Sequence, residues 1–151
     1  MRLHRLSLRA LFGALSISLV LASNALAGGR IFVGTMTGAA ERPGPGDPDG
    51  SGTFRLELNQ GQGTICFSLS VSNIALPTTG NLPAHIHEAP ATDPGPVVVP
   101  LIGPDSTGTS SGCVSVSEDE IKEIRHDPDE YYVNVHNSEF PDGAVRAQLS
   151  K

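Results

Sequence analysis

The sequence predicts an all-β chain, folded as an antiparallel β-sandwich or barrel, with one short helix. Two observations support this: short runs of alternating apolar and polar residues, and the turn residues between them, among them 17 glycines and 12 prolines. Alternation with a period of two is typical of strands with one face in a core. Eight such runs occur, at residues 30–37, 52–58, 64–71, 84–88, 97–102, 111–116, 131–136 and 144–149.

The runs also indicate where strands lie in the sheet. Phe54, Leu56 and Leu58 alternate with charged residues, as in a half-buried strand. The run 97–102 is apolar throughout, but Pro100 interrupts it and places it at an edge or a bulge.

One segment predicts a helix, from Ser117 to Arg125. Ser117 and Glu120 have the spacing of a capping box, and the acidic residues that follow Ser117 suit the positive end of the helix dipole. By contrast, residues 40–51 are rich in Pro and Gly and poor in apolar residues, which predicts a solvated connection between strands.

Residues 1–27 have the organisation of a secretory signal peptide. Three arginines within the first nine residues form a basic start, residues 10–22 are apolar, and small residues precede Gly28. The apolar run is too short to span a bilayer, so we expect cleavage after Ala27. The mature chain, residues 28–151, is then a single domain that is secreted or periplasmic.

The chain is acidic, with 16 Asp and Glu against 10 Lys and Arg and a formal net charge of −6. An acidic surface repels phosphate backbones, so we expect no nucleic-acid partner. No apolar stretch after the signal peptide is long enough to span a membrane. The expected partner is an extracytoplasmic protein or a surface ligand, which the sequence does not identify.

The two cysteines, Cys66 and Cys113, both follow the predicted signal peptide. Export favours a disulfide between them, and two buried free thiols are the alternative. Both residues lie in predicted strands, so the bond would join two strands. Closing a loop of this length would stabilise the fold by about 4 kcal/mol.

Histidines mark the candidate functional residues. Alternate side chains of a strand share a face, so His85 and His87 lie on one face of their run, as Asn134 and His136 do on theirs. If the last hairpin turns near Pro141, His136 faces Arg146 and Asn134 faces Gln148. The predicted polar ladder then consists of Asn134, His136, Arg146 and Gln148.

Two interpretations of the histidines remain open. His85, His87 and His136 could bind copper or zinc, since neutral imidazole is a ligand for both ions, and Glu139 is a candidate fourth ligand. Alternatively, the histidines hold strands and loops together by hydrogen bonds, and the protein needs no cofactor. His126 lies in a polar segment and is expected in solvent.

The sequence resembles the CHRD domain family, named for repeats in chordin. The resemblance spans most of residues 29–149. It rests on His85-Ile86-His87, Gly95-Pro96-Val97-Val98, Gly112-Cys113, Tyr132-Val133-Asn134-Val135-His136, Phe140-Pro141, and Gly143, Arg146, Gln148 and Leu149. A glycine often follows the His-x-His strand closely in this family, whereas Glu88-Ala89-Pro90 stands here.

The resemblance implies a compact secreted β-sandwich of the bacterial single-domain type. The expected fold is therefore an antiparallel β-sandwich of Greek-key type, with an immunoglobulin-like or superoxide-dismutase-like arrangement. Chordin itself binds growth factors, and the resemblance carries no activity to this chain. The expected function is therefore an extracytoplasmic binding or structural module that is not an enzyme. No Gly-x-Ser-x-Gly nucleophile motif is present, which agrees with this expectation.

A looser resemblance gives the alternative function. His85, His87 and His136 are similar in placement to three copper ligands of copper/zinc superoxide dismutase, and Arg146 to its substrate-guiding arginine. However, no histidine lies between His87 and His126 to build a zinc site, and the arginine follows its histidine too soon. The alternative is thus a copper- or zinc-binding protein with a superoxide-dismutase-like histidine site.

Overall fold

A computed structural model describes residues 29–78 and 83–151. The predicted signal peptide, residues 1–27, lies outside this range. The described residues form eight strands, one α-helix (α1, Glu118–His126) and three short 3-10 turns at Gly38–Ala40, Gln60–Gln62 and Pro128–Glu130. The strands are β1 (Arg30–Thr37), β2 (Ser51–Asn59), β3 (Thr64–Ser72), β4 (Ala84–Glu88), β5 (Val97–Leu101), β6 (Thr109–Ser115), β7 (Tyr131–Val135) and β8 (Val145–Gln148).

All strand pairs are antiparallel and form one sheet in the order β5-β4-β7-β8-β1-β2-β3-β6. The all-β antiparallel class is therefore confirmed, and Pro100 indeed lies in an edge strand, β5. The sheet nearly closes on itself, since Ile102 beyond β5 reaches Gly112 in β6. Strands β1 and β8 are joined only at Thr37 and Arg146. The finer assignment to a Greek-key sandwich stays a prediction.

The core lies on the inner face of this curved sheet. Strand β2 shows the predicted alternation, with Phe54, Leu56 and Leu58 buried between more exposed residues. Strands β4 and β7 differ, because their outward-facing residues are buried as well. Connecting segments cover the outer face there, and this covered face contains the histidines.

Helix α1 begins where the sequence predicts. The Ser117 side chain accepts a hydrogen bond from the backbone N–H of Glu120, at 3.1 Å, and so satisfies one of the free donors at the helix start. Ile121 and Ile124 are fully buried and pack the helix against the core. No helix in the described part of the chain is long and apolar enough to cross a membrane.

Cys66 and Cys113 form the predicted disulfide, with an S–S distance of 2.08 Å. The two residues lie directly opposite each other in the pairing of β3 with β6. The bond therefore fastens the edge strand β6 to its only neighbour in the sheet.

Two predictions need correction. The loop between β7 and β8 shifts the register by two residues, so Asn134 pairs with Arg146 and Tyr132 with Gln148. The faces are as predicted, but Arg146 is not beside His136. The 40–51 segment is not a wholly solvated loop, because Glu41 and Asp47 are buried and the Asp47 N–H donates to the carbonyl oxygen of Ala144, beside β8.

Candidate metal centre

The candidate site lies on the outer face of β4 and β7. Asn134 pairs with His85, and Tyr132 pairs with His87, so strand alternation places polar and aromatic side chains side by side. The segment Ala89–Pro96, which joins β4 to β5, passes over this face, as does the connection after β1. These coverings leave His85 and His87 only 6% and 8% exposed.

The structure brings the three predicted histidines together. One nitrogen from each of His85, His87 and His136 lies within 4.8 Å of the other two. Nε2 of His87 lies 3.3 Å from Nδ1 of His85. The His136 ring meets the His85 ring edge-on, with centroids 4.9 Å apart, although His136 follows the last residue of β7. Glu139 is not part of this group of described residues.

Hydrogen bonds determine which ring nitrogen of His87 and of His136 is left free to bind a metal ion. Nδ1 of His87 lies 2.8 Å from the carbonyl oxygen of Gly95, and Nδ1 of His136 lies 3.0 Å from that of Pro141. A carbonyl oxygen only accepts, so both Nδ1 atoms carry the proton. In the neutral ring, Nε2 then has a free lone pair, which is the arrangement that carbonyl partners give to metal-binding histidines.

Burial favours the neutral form of both rings. Loss of solvent lowers the pKa of His87 and of His136 below the ordinary value of 6.5, although the carbonyl contacts raise it in part. Nε2 of His136 is buried and has no hydrogen-bond partner among the residues that the structure describes. An acceptor nitrogen in this state is costly unless something binds it.

An aromatic stack supports the His87 ring. The Tyr132 ring lies parallel to the imidazole, with centroids 4.7 Å apart and 8° between the planes. The guanidinium carbon of Arg146 lies 3.4 Å from the centre of the Tyr132 ring. This is a close cation–π contact, and Arg146 is only 1% exposed.

The other predicted polar residues lie beside the histidines. Arg146 donates to the Gln148 side-chain oxygen at 3.1 Å, and Asn134 lies directly opposite Arg146 in the pairing of β7 with β8. His126 lies elsewhere, at the end of α1, and contacts Asp127 in solvent.

Glu41 is the residue that the sequence does not reveal. It is 2% exposed and contacts the Asn134 side chain, and burial raises its pKa to about 7 against the opposing effect of Arg146. It comes from the connection between β1 and β2, so no strand alternation relates it to the histidines. Tyr132, in contrast, shares the face of Asn134, and alternation places it there.

A surface groove of about 660 Å³ lies over β2, β3 and β6 and contains none of the histidines. Its lining combines Ser and Thr residues with the apolar side chains of Phe54, Leu69 and Ile102. Convergent polar groups, and not groove size, therefore define the candidate site.

The order of these motifs along the chain matches the profile of the CHRD domain over residues 32–149. The protein belongs to the CHRD domain family. The match covers all eight strands except the first two residues of β1, and it includes the three histidines and both cysteines. No curated protein and no solved structure matches the chain.

Proposed function

We propose that the protein is an extracytoplasmic CHRD-domain binding module whose three-histidine centre binds zinc or copper. The observation that carries the proposal is the convergence of one nitrogen each from His85, His87 and His136 within 4.8 Å. Two of these rings have Nδ1 occupied by a backbone carbonyl, which leaves Nε2 for a metal ion.

The spacing of the nitrogens supports this chemistry. Two imidazole nitrogens bound to one zinc ion at about 2.0–2.1 Å with tetrahedral angles lie about 3.3–3.4 Å apart. The His85 and His87 nitrogens are 3.3 Å apart before any ion is added. No fourth His, Cys, Asp or Glu among the described residues joins the set, so one position would remain for water or an exogenous ligand.

The structural interpretation of the histidines is the rival. A proton on Nδ1 of His85 could bridge to Nε2 of His87 at the same 3.3 Å. That bond does not involve Nε2 of His136, and it does not explain why this nitrogen is buried without a partner among the described residues. The metal proposal accounts for all three rings, and we favour it for that reason.

Metal analysis tests the proposal directly. The purified protein, stripped with chelator and dialysed against zinc or copper, should retain about one ion per chain if the three rings form one site. His87→Ala should lose that ion. His126→Ala is the matched control, since His126 is exposed and is not one of the three converging histidines, and it should bind like the wild type. Equal metal content in both variants, or none in the wild type, would reject the proposal.

The proposal places the protein outside the cytoplasm. The disulfide is typical of an oxidising compartment, and the sequence of residues 1–27 supports export. Mass spectrometry of the native protein should give an N-terminus at Gly28. We propose a binding role without catalysis, and the copper-loaded protein should not accelerate superoxide decay above the level of the chelator-treated protein.

A further inference from the structure

We infer that Arg146 is a positioning residue for metal binding, which acts on His87 through the Ala89–Pro96 segment and Tyr132. The inference rests on the proposed metal centre, because it concerns how one ligand is oriented there. The Arg146 side chain donates hydrogen bonds to the carbonyl oxygens of Asp93 and Pro90 and to the Gln148 side chain. Its contacts lead to the groups that hold His87.

The first route runs through the backbone. Arg146 donates to the carbonyl oxygens of Asp93 at 3.0 Å and of Pro90 at 2.9 Å. Both belong to the Ala89–Pro96 segment, whose Gly95 carbonyl accepts the Nδ1–H of His87. One buried guanidinium thus fastens the segment at two points and holds the acceptor that selects the His87 tautomer.

The second route runs through the ring stack. Tyr132 lies in β7, between the strand of His87 (β4) and the strand of Arg146 (β8), and its ring contacts both the imidazole and the guanidinium. The Tyr132 hydroxyl accepts the backbone N–H of Gly95 at 3.3 Å. Both routes therefore meet at Gly95, which fixes the tautomer of His87, while Tyr132 fixes the plane of its ring.

A lysine cannot replace this arginine. The planar guanidinium donates in fixed directions to separate carbonyls while its face stacks on an aromatic ring, whereas an ammonium is a compact charge without such a face. Mutation of a residue that orients a metal-binding histidine typically weakens metal affinity by about 10–100-fold. We expect Arg146→Lys to lower zinc affinity by that factor, although all three histidines remain.

The decisive measurement is the tautomer of each histidine by nitrogen NMR in the metal-free protein above neutral pH. In the wild type, His87 and His136 should both carry the proton on Nδ1. In R146K, His87 should become a mixture of tautomers, while His136 should not change, because its partner, Pro141, lies outside the segment. A general loss of structure would alter both rings, so His136 is an internal control.

Arg125→Lys is the matched control, since Arg125 is a half-buried arginine in α1 whose side chain donates to Gln60, which lies outside the Ala89–Pro96 segment. It should leave zinc affinity and the His87 tautomer unchanged. If R146K does not fold, Tyr132→Phe provides the same test, because it removes only the hydroxyl that holds Gly95.

A folded R146K that keeps the His87 proton on Nδ1 and binds zinc like the wild type would overturn the inference. The same applies to Y132F if it is used instead. A wild type that binds no zinc would reject the proposed function alone, because the tautomer measurement needs no metal and still decides whether Arg146 positions His87.

Discussion

The imidazole of His87 lies parallel to the ring of Tyr132, with 4.7 Å between centroids and 8° between planes. The stack restricts rotation of the imidazole, and the carbonyl of Gly95 fixes its proton on Nδ1. A side chain held in this way loses little conformational freedom when it binds an ion. The consequences can be measured as stability, as pH dependence and as metal affinity.

Zinc should stabilise the wild type, and above the dissociation constant the gain should grow with the logarithm of the free zinc concentration. An ion that binds only the folded state raises the free energy of unfolding by about 2.7 kcal/mol at about 100 times its dissociation constant. Thermal or chemical unfolding with and without zinc measures this gain. His136→Ala should remove the gain, because it deletes one of the three converging nitrogens.

Without metal, His136→Ala should change the free energy of unfolding by no more than about 1 kcal/mol. It removes the Nδ1–H bond to the Pro141 carbonyl, but it also deletes a buried acceptor, Nε2, that has no partner among the described residues, and the two effects oppose each other. If the histidines mainly hold the fold together, the metal-free variant should instead lose about 1–3 kcal/mol. That result would favour the structural interpretation over the metal centre.

Acid should weaken the metal-free protein through His87. Its pKa in the folded state lies below the ordinary 6.5, mainly because of burial, so the unfolded chain binds more protons. This contribution to the free energy of unfolding is fully present above pH 6.5 and is lost as the pH falls through the lower pKa of the folded state. As the pH falls, the wild type should therefore lose stability relative to His87→Gln, whose side chain cannot titrate. A difference between the two proteins that is independent of pH would contradict this.

Loss of the disulfide should cost about 4 kcal/mol in the free energy of unfolding, according to the chain-entropy model for two cysteines 47 residues apart. The double variant C66S/C113S and the reduced wild type should show the same loss. Thiol titration of the unfolded, unreduced protein should find none. Two reactive thiols per chain would show that the bond is not present in the purified protein.

Strand alternation predicted much of this arrangement from the sequence. The period of two placed His85 with His87, and Asn134 with His136, on the correct faces, because side-chain direction depends only on position along the strand. The same local rules located α1 from Ser117. Pairing of Cys66 with Cys113 followed from the composition and the expected compartment.

The register of β7 and β8 could not be predicted in the same way. It depends on the loop between them, where the Asn137 side chain accepts the backbone N–H groups of Glu139 and Phe140. Gly143, with φ of 138°, completes the loop in a conformation that favours glycine. These contacts set the conformation of the connection and so the register. A register shift of two residues keeps every side chain on the same face, so the pattern of faces does not reveal it.

Glu41 shows a second limit, because its burial depends on tertiary packing. Two glycines, Gly46 and Gly143, lie against its side chain at positions where a Cβ would collide with it. No pattern within residues 40–51 indicates that space. The segment has the composition of a solvated loop, and only the folded sheet beneath it provides the site that buries the carboxyl group.

Glu41→Gln should therefore change how stability depends on pH. The pKa of Glu41 is about 7 in the folded protein, mainly because of burial, against an ordinary value of 4.5. The folded state holds the proton more tightly than the unfolded chain. The contribution of Glu41 to the free energy of unfolding is therefore fully present below pH 4.5 and is lost as the pH rises through 7. The total loss is about 3 kcal/mol. Glutamine keeps the shape of the protonated acid and cannot lose a proton.

The free energy of unfolding, measured by chemical denaturation across this pH range, should rise for E41Q relative to the wild type as the pH increases. Glu139→Gln is the control, because Glu139 is an exposed carboxylate on the neighbouring loop and should not produce this trend. If E41Q and the wild type keep a constant difference from below pH 4.5 to above pH 7, burial does not hold the proton on Glu41. The carboxylate would then be stabilised by Arg146 and Asn134, and its charge would form part of the site at neutral pH.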